Sequence, residues 1–240
     1  FVGATVDGRD FAPRTAIQLN TGCTSDAMEI VYDEKTGDNY TGGGARGTGT
    51  TGLTTMVVED CILTDCAANR GGAAAYCTLK NCRVTANVGV NRGAAGLNVS
   101  AFGCLFDDHT TKTDVLMYPY DVVNCTFGPG NGSSLYAVNF DGGQHAFENN
   151  IVFCSVNMGA ASVAQNCIFT QSKYRDSSIL GEGCVVTNAE ALCLADDLRP
   201  TQASELLVDR GGDFALLANL TDKDASGGQR IYNGTVDIGA

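Results

Sequence analysis

The sequence predicts an all-β fold: a single-stranded parallel β-helix, a solenoid of about eight to nine coils, closed by an irregular C-terminal cap. Three observations predict it. The first is a recurring phrase of a small or polar residue, then usually cysteine, then apolar residues. It reads DCIL at 60–63, NCRV at 81–84, GCLF at 103–106, NCTF at 124–127, NIVF at 150–153, NCIF at 166–169 and GCVV at 183–186. The marked positions Cys61, Cys82, Cys104, Cys125, Asn150, Cys167 and Cys184 are separated by 21, 22, 21, 25, 17 and 17 residues. The second is a companion phrase, Asn69-Arg70-Gly71 and Asn91-Arg92-Gly93, again 22 apart, so that every part of the unit recurs. The third is composition: 30 glycines in 240 residues, four prolines, no tryptophan, and no stripe at helical spacing. A period near 20 marks supersecondary units too small to bury their own apolar faces, which stack instead.

The chain reads as one domain, 1–240, in three stretches. Residues 1–59 carry weakly patterned coils, with short apolar runs at 16–19, 28–32 and 53–58 between glycine and asparagine turns and a glycine-rich corner at 41–52. Residues 60–193 hold the regular coils. Each unit makes a loop of short strands, and the next loop stacks about 4.8 Å away as parallel strands. Residues 194–240 form the capping segment. There Leu206, Leu207, Val208, Phe214, Leu216, Leu217 and Leu220 can lie over the last coil and cover its open edge, with Arg230 paired to Asp209 or Asp237. The N-terminal edge has no such cover, which leaves end-to-end self-association open to it.

Eleven cysteines are present, an odd number. Their periodic grid favours buried thiols stacked as a ladder, free cysteine packing like a small hydrophobe; one or two disulfides and a zinc site are the other readings. The column of Cys61, Cys82, Cys104, Cys125, Asn150, Cys167 and Cys184 points inward. So does the column two residues on, Leu63, Val84, Phe106, Phe127, Val152, Phe169 and Val186, by the period-2 alternation of strands.

These repeats carry a resemblance. NRGGAAAYCTLKNCRVTAN at 69–87 and NRGAAGLNVSAFGCLF at 91–106 look like the repeats of right-handed parallel β-helix proteins, the pectate-lyase-like superfamily that includes bacterial surface adhesins. The C-terminal segment is similar to the terminal motif of secreted bacterial β-helix repeat proteins. It runs through Asp197-Leu198-Arg199-Pro200, then Ser204 to Gly211, then Asp224, Gly227, Arg230, Asn233-Gly234 and Val236-Asp237-Ile238-Gly239-Ala240. The family usually has serine-proline where this chain has Ser204-Glu205, and it continues past the final alanine with an aromatic residue and a glutamate. The resemblance implies a right-handed coil and an extracellular or cell-surface location.

A formal charge of −12, with 27 acidic against 15 basic residues and no basic run, argues against nucleic acid or anionic membrane as partner. No segment reaches the roughly 18 apolar residues of a membrane span. Residues 1–10 lack the basic start and apolar core of a signal peptide, so the chain reads as a mature protein or a trimmed fragment. Carbohydrate is the partner expected, because a β-helix offers a long groove. Candidate catalytic residues sit in the insertions between beats: Asp107, Asp108 and His109, then Asp141 and His145 in the 25-residue coil, and Lys173, Arg175 and Asp176. Tyr118, Tyr120 and Asp121 are the candidate ligand-binding residues. A hydrolase needs two carboxylates across the scissile bond, and a lyase needs a base and a cation beside a uronate. The Asn-Thr-Asp, Gly-His-Gly and Arg-Ile-Lys motifs of the superfamily's pectin hydrolases are not in this sequence. The expectation is therefore a non-catalytic glycan-binding, adhesive or structural surface module, with a lyase or hydrolase of acidic polysaccharide as the alternative. No cofactor is required; weak calcium binding is the one candidate, at Asp222, Asp224 and Ser226, which have the oxygen spacing of a calcium loop but end at Asn233 instead of glutamate.

Overall fold

The computed structural model describes residues 5–7, 15–18, 24–27, 45–46, 56–111, 115–131, 136–140, 144–158, 162–170, 180–225, 231–232 and 235–239. Neighbouring repeats do pair in parallel. The first sheet has eight strands in the order Thr5–Asp7, Ile62–Thr64, Arg83–Thr85, Leu105–Asp107, Thr126–Phe127, Ile151–Val152, Ile168–Phe169 and Val185–Val186. The register places Leu63, Val84, Phe106, Phe127, Val152, Phe169 and Val186 in one column, as the spacing requires. A second sheet is built around Ala74–Ala75, Gly96–Phe102, Val115–Val123, Tyr136–Asn139 and Ser155–Asn157. A short third sheet joins Ala67–Arg70, Val88–Arg92 and Thr110–Thr111.

From Ile62–Thr64 onward a rung is a full turn only where its first-sheet strand is followed by one of the five second-sheet strands just named; before it, Ala45–Arg46 adds a short edge strand beside Ala74–Ala75. Counted so, the chain makes about five turns, not eight to nine. The shortfall lies at both ends. Thr5–Asp7 stacks directly on Ile62–Thr64, so the described residues of 1–59 supply one edge rung, completed by Ala45–Arg46 and Val57–Glu59, where the sequence predicts several coils. Among those residues, Thr15–Gln18 and Thr24–Ala27 form an antiparallel pair. After Val186 the chain leaves the stack altogether.

The first letter of the repeated phrase has a backbone cause. Asp60, Asn81, Gly103, Asn124, Asn166 and Gly183, and at the fifth beat Asn149, one residue ahead of NIVF, all take φ between 50° and 73°. This left-handed corner is open to glycine and tolerated by asparagine and aspartate, whose short polar side chains bond locally. Each turn at this corner drives the next residue inward. The thiols there stack, and each accepts a backbone N–H from the rung before: Cys82 donates to Cys104 Sγ at 3.4 Å, Cys104 to Cys125 Sγ at 3.4 Å, and Cys167 to Cys184 Sγ at 3.5 Å. Asn150 performs the same office with its amide, accepting the Cys125 N–H at 2.7 Å and donating to the Val122 carbonyl at 3.0 Å. Asparagine can stand in for cysteine once in this column because both accept there and both fit. Among the described residues every cysteine is a free thiol.

Burial grades this ladder. The thiols of Cys61, Cys82, Cys104, Cys125 and Cys167 are buried, Cys184 is half-buried and Cys193 is exposed. Burial holds the Cys104 and Cys167 thiols well above the ordinary range. The hydrogen bond from the Cys167 thiol, with neighbouring backbone N–H groups, brings Cys184 down to about 7. Iodoacetamide at neutral pH should therefore label Cys193 and Cys184 in the folded protein, and the buried five only after denaturation. Peptide mass spectrometry reads this directly; labelling of Cys104 in the folded chain at the rate of Cys193 would show that the ladder is not closed.

The C-terminal segment does not lie over the last coil. It turns back along the outer face of the first sheet, where Leu192, Leu207 and Ile238 pack on Ile151, Phe153 and Ile168. The reason is that this outer face is itself apolar, carrying Ile151 and Ile168 on adjoining rungs. The corner asparagines clamp the returning chain. Asn124 donates to the Gly239 carbonyl, Asn149 accepts the Gly212 N–H at 2.9 Å, and Asn166 donates to the Arg210 carbonyl at 2.8 Å. Asp237 accepts the Asp209 N–H at 2.8 Å; Arg230, expected as its partner, lies outside the described residues. At the far end Val185 and Val186 stay 37% and 40% exposed, although the other members of the Val186 column are buried. No helix among the described residues is long and apolar enough to cross a membrane.

Candidate functional site

The strand Val115–Val123 carries the residues of most interest. Leu116, Met117 and Val122 belong to the core, whereas Tyr118, Tyr120 and Asp121 are half-buried. The 25-residue coil brings its later residues back beside them, since Val122 pairs with Phe147 and Val123 with Glu148. One rung therefore presents Tyr118, Tyr120 and Asp121, and the next presents His145. The imidazole of His145 meets the Tyr120 ring edge-on at 5.4 Å and 76°, and stacks on Phe140 at 5.4 Å and 16°. Phe140 in turn meets the buried Phe147 edge-on at 6.3 Å. The Arg92 guanidinium lies over the Tyr118 ring, 5.1 Å from its centre, which fixes that tyrosine by a cation–π contact.

Hydrogen bonds hold the backbone beneath this patch. The His145 N–H donates to Ser162 Oγ at 3.1 Å, and the Ala146 N–H donates to Asp121 Oδ1 at 2.9 Å. Asp121 is thus tied to the next rung through one oxygen. Glu148 sits beside it. Burial, with the Asp121 charge second, raises the Glu148 carboxyl above the usual carboxylate range. Its Oε2 is buried and has no partner among the described residues.

The other sequence candidates fall elsewhere. Asp107 closes a corner, accepting the Gly130 N–H on Oδ1 at 2.8 Å, and burial raises its carboxyl. Asp108 occupies the left-handed corner that follows, at φ 56°. His109 is part of the wall. Its Nδ1 accepts the Asn87 N–H at 3.1 Å, and its own N–H donates to Asn131 Oδ1 at 3.2 Å. Asp141, Lys173, Arg175, Asp176 and Ser226 lie outside the described residues. Asp222 and Asp224 face separate clefts, and among the described residues no three metal-ligating side chains converge.

Sequence reasoning found Tyr118, Tyr120, Asp121 and His145 as separate insertions, and the fold brings them together. It missed Arg92, Phe140 and Glu148. A signal existed for the pairing: Tyr120 and His145 are 25 residues apart, the length of that coil. No family model, no curated protein and no solved structure matches this chain.

Proposed function

We propose that the protein is an extracellular or cell-surface β-helix module, related to the pectate-lyase-like superfamily, that binds glycans without transforming them. The observation that carries this reading is the Tyr118, Tyr120 and His145 patch, with ring faces and edges on adjacent rungs of a rigid sheet. Sugar rings present C–H faces that pack on aromatic rings, and their hydroxyls reach polar groups at the rim. Asp121 and Arg92 supply such groups here. A scaffold that holds these side chains by packing keeps the entropy cost of binding low. The reading asks for no cofactor.

A glycan array followed by titration tests it. Tyr120→Ala should weaken binding of the best array ligand by roughly tenfold, about the worth of one aromatic contact. An array with no signal above background, or a Tyr120→Ala protein that binds as well as the unmodified chain, would sink the reading.

The second reading, a lyase or hydrolase of acidic polysaccharide, is favoured by one observation. Glu148, its carboxyl raised by burial, stands beside Asp121, and carboxylate pairs in unlike surroundings divide acid and base roles. New reducing ends or unsaturated products from a polyuronate panel, lost in Glu148→Gln, would decide for it.

A further inference from the structure

The outward column of the first sheet holds an apolar residue or threonine at every rung from Ile62 to Val185 except one. The exception is Arg83. Its neighbours on the adjoining rungs are Ile62 and Leu105, so the packing of the sheet asks for no charge at this place. Arg83 is half-buried and opens on a cleft of about 470 Å³ between the first rungs and the returning C-terminal segment. Arg199 and Lys223 reach the same cleft from that segment, and Asp60, Asp197 and Asp224 complete its charged wall. Three of the chain's 15 basic residues thus meet in one cleft of a molecule with net charge −12.

The cations are not equivalent. Arg199 donates from Nε to Asp197 Oδ2 at 2.7 Å and is held as an ion pair. The Arg83 guanidinium makes no hydrogen bond or ion pair among the described residues; the Asp107 carboxylate feels its charge only through space. A guanidinium lining a cleft offers a planar fork to an oxyanion. The three carboxylates around it repel a bare polyanion. They accept hydrogen bonds from hydroxyls, as Asp60 already accepts from the Asn81 amide.

We propose that this cleft binds one anionic sugar unit, with the oxyanion on Arg83 beside Lys223 and the sugar hydroxyls donating to Asp60 and Asp224. A cleft of this size lies within the range that takes small polar ligands. It lies on the first sheet, apart from the aromatic patch on the second, and stands on separate observations.

Isothermal titration of the intact chain with glucuronate, glucose 6-sulfate and glucose tests the site and separates a carboxylate from a sulfate ester as the anion. At least one of the two anionic sugars should bind, less tightly as salt is raised, and glucose should not. Arg83→Gln should lower that affinity by about tenfold or more, the loss of a charge-assisted pair. Lys223→Gln should lower it severalfold, and Tyr120→Ala should leave it unchanged. The proposal is overturned if neither anion binds, if glucose binds as well as they do, or if both cation variants bind like the unmodified chain. Loss of anion binding in Tyr120→Ala alone would place the sugar on the aromatic patch, sinking this site while sparing the glycan reading.

Discussion

Phe127→Ala should cost about 4 kcal/mol of unfolding free energy. Phe127 has no solvent exposure and stacks with Phe106 at 5.0 Å and 17°, while Phe147 lies 6.3 Å from it on the other side. Deleting the ring removes its transfer free energy and leaves a cavity that the rungs above and below are poorly able to fill. Their spacing is set by the parallel hydrogen bonds of the sheet and not by the side chains. In a solenoid each turn is stabilised by its neighbours, so a void in a central rung weakens both interfaces at once. Phe127→Leu keeps part of the volume and should cost about half as much. Urea unfolding followed by circular dichroism checks both. Equal losses for the two variants, or a loss below about 1 kcal/mol for alanine, would mean that the column is not packed as described.

That column was legible because it repeats. Leu63, Val84, Phe106 and Phe127 announce themselves by spacing alone, and so do the thiols beside them. The number of turns was less legible. The N-terminal residues share the glycine-rich, short-run composition of the coils, yet Thr5–Asp7 pairs at once with Ile62–Thr64. Composition records that a stretch is β-rich and turn-rich; it does not record which strand lies next to it. The course of the tail was illegible for a related reason. Its docking place depends on the outward residues Ile151 and Ile168, and on the side chains of Asn124, Asn149 and Asn166. Those residues read from sequence as part of the core phrase and as turn formers. Only the left-handed corner shows that their amides point outward, free to hold a returning chain. The candidate site was half legible. Tyr120 and His145 were each visible as residues in an insertion, but Glu148 was hidden because it falls on the repeat itself, in line with Lys80, Phe102 and Gln165.

Acidification should unfold the protein from a second buried column, and His109 is the residue that makes it do so. Asn87, His109 and Asn131 are each 22 residues apart and occupy one position on successive rungs. The asparagines show what the position demands. Asn87 accepts the Cys66 N–H at 2.9 Å and donates to the Leu63 carbonyl at 3.0 Å; Asn131 accepts the His109 N–H and donates to the Phe106 carbonyl at 2.8 Å. His109 fills the middle place with an imidazole. Nδ1 accepts from Asn87, and Nε2 makes no hydrogen bond, although the Val84 carbonyl is near enough to favour a proton on it. Burial is the larger effect and lowers the imidazole to about 4 from an ordinary 6.5. Protonation would place a charge in the wall and turn the acceptor of the Asn87 N–H into a second donor. A group whose pKa is lower in the folded than in the unfolded chain contributes stability above the unfolded value and loses it as pH falls toward the folded one. The window therefore runs from pH 6.5 down to about 4, and the loss reaches about 3 kcal/mol at its lower end. His109→Asn supplies the amide that the two neighbouring rungs already use, so the variant should fold and should not show this component. Carboxylates such as Asp107 titrate equally in both proteins, which makes the difference between the two stability–pH curves the quantity to measure. Only two histidines are present, so the His109 imidazole can be followed directly by NMR as pH is lowered. Identical slopes for the two proteins across the window, or a His109 imidazole that titrates near 6.5, would remove the wall from the account of acid unfolding.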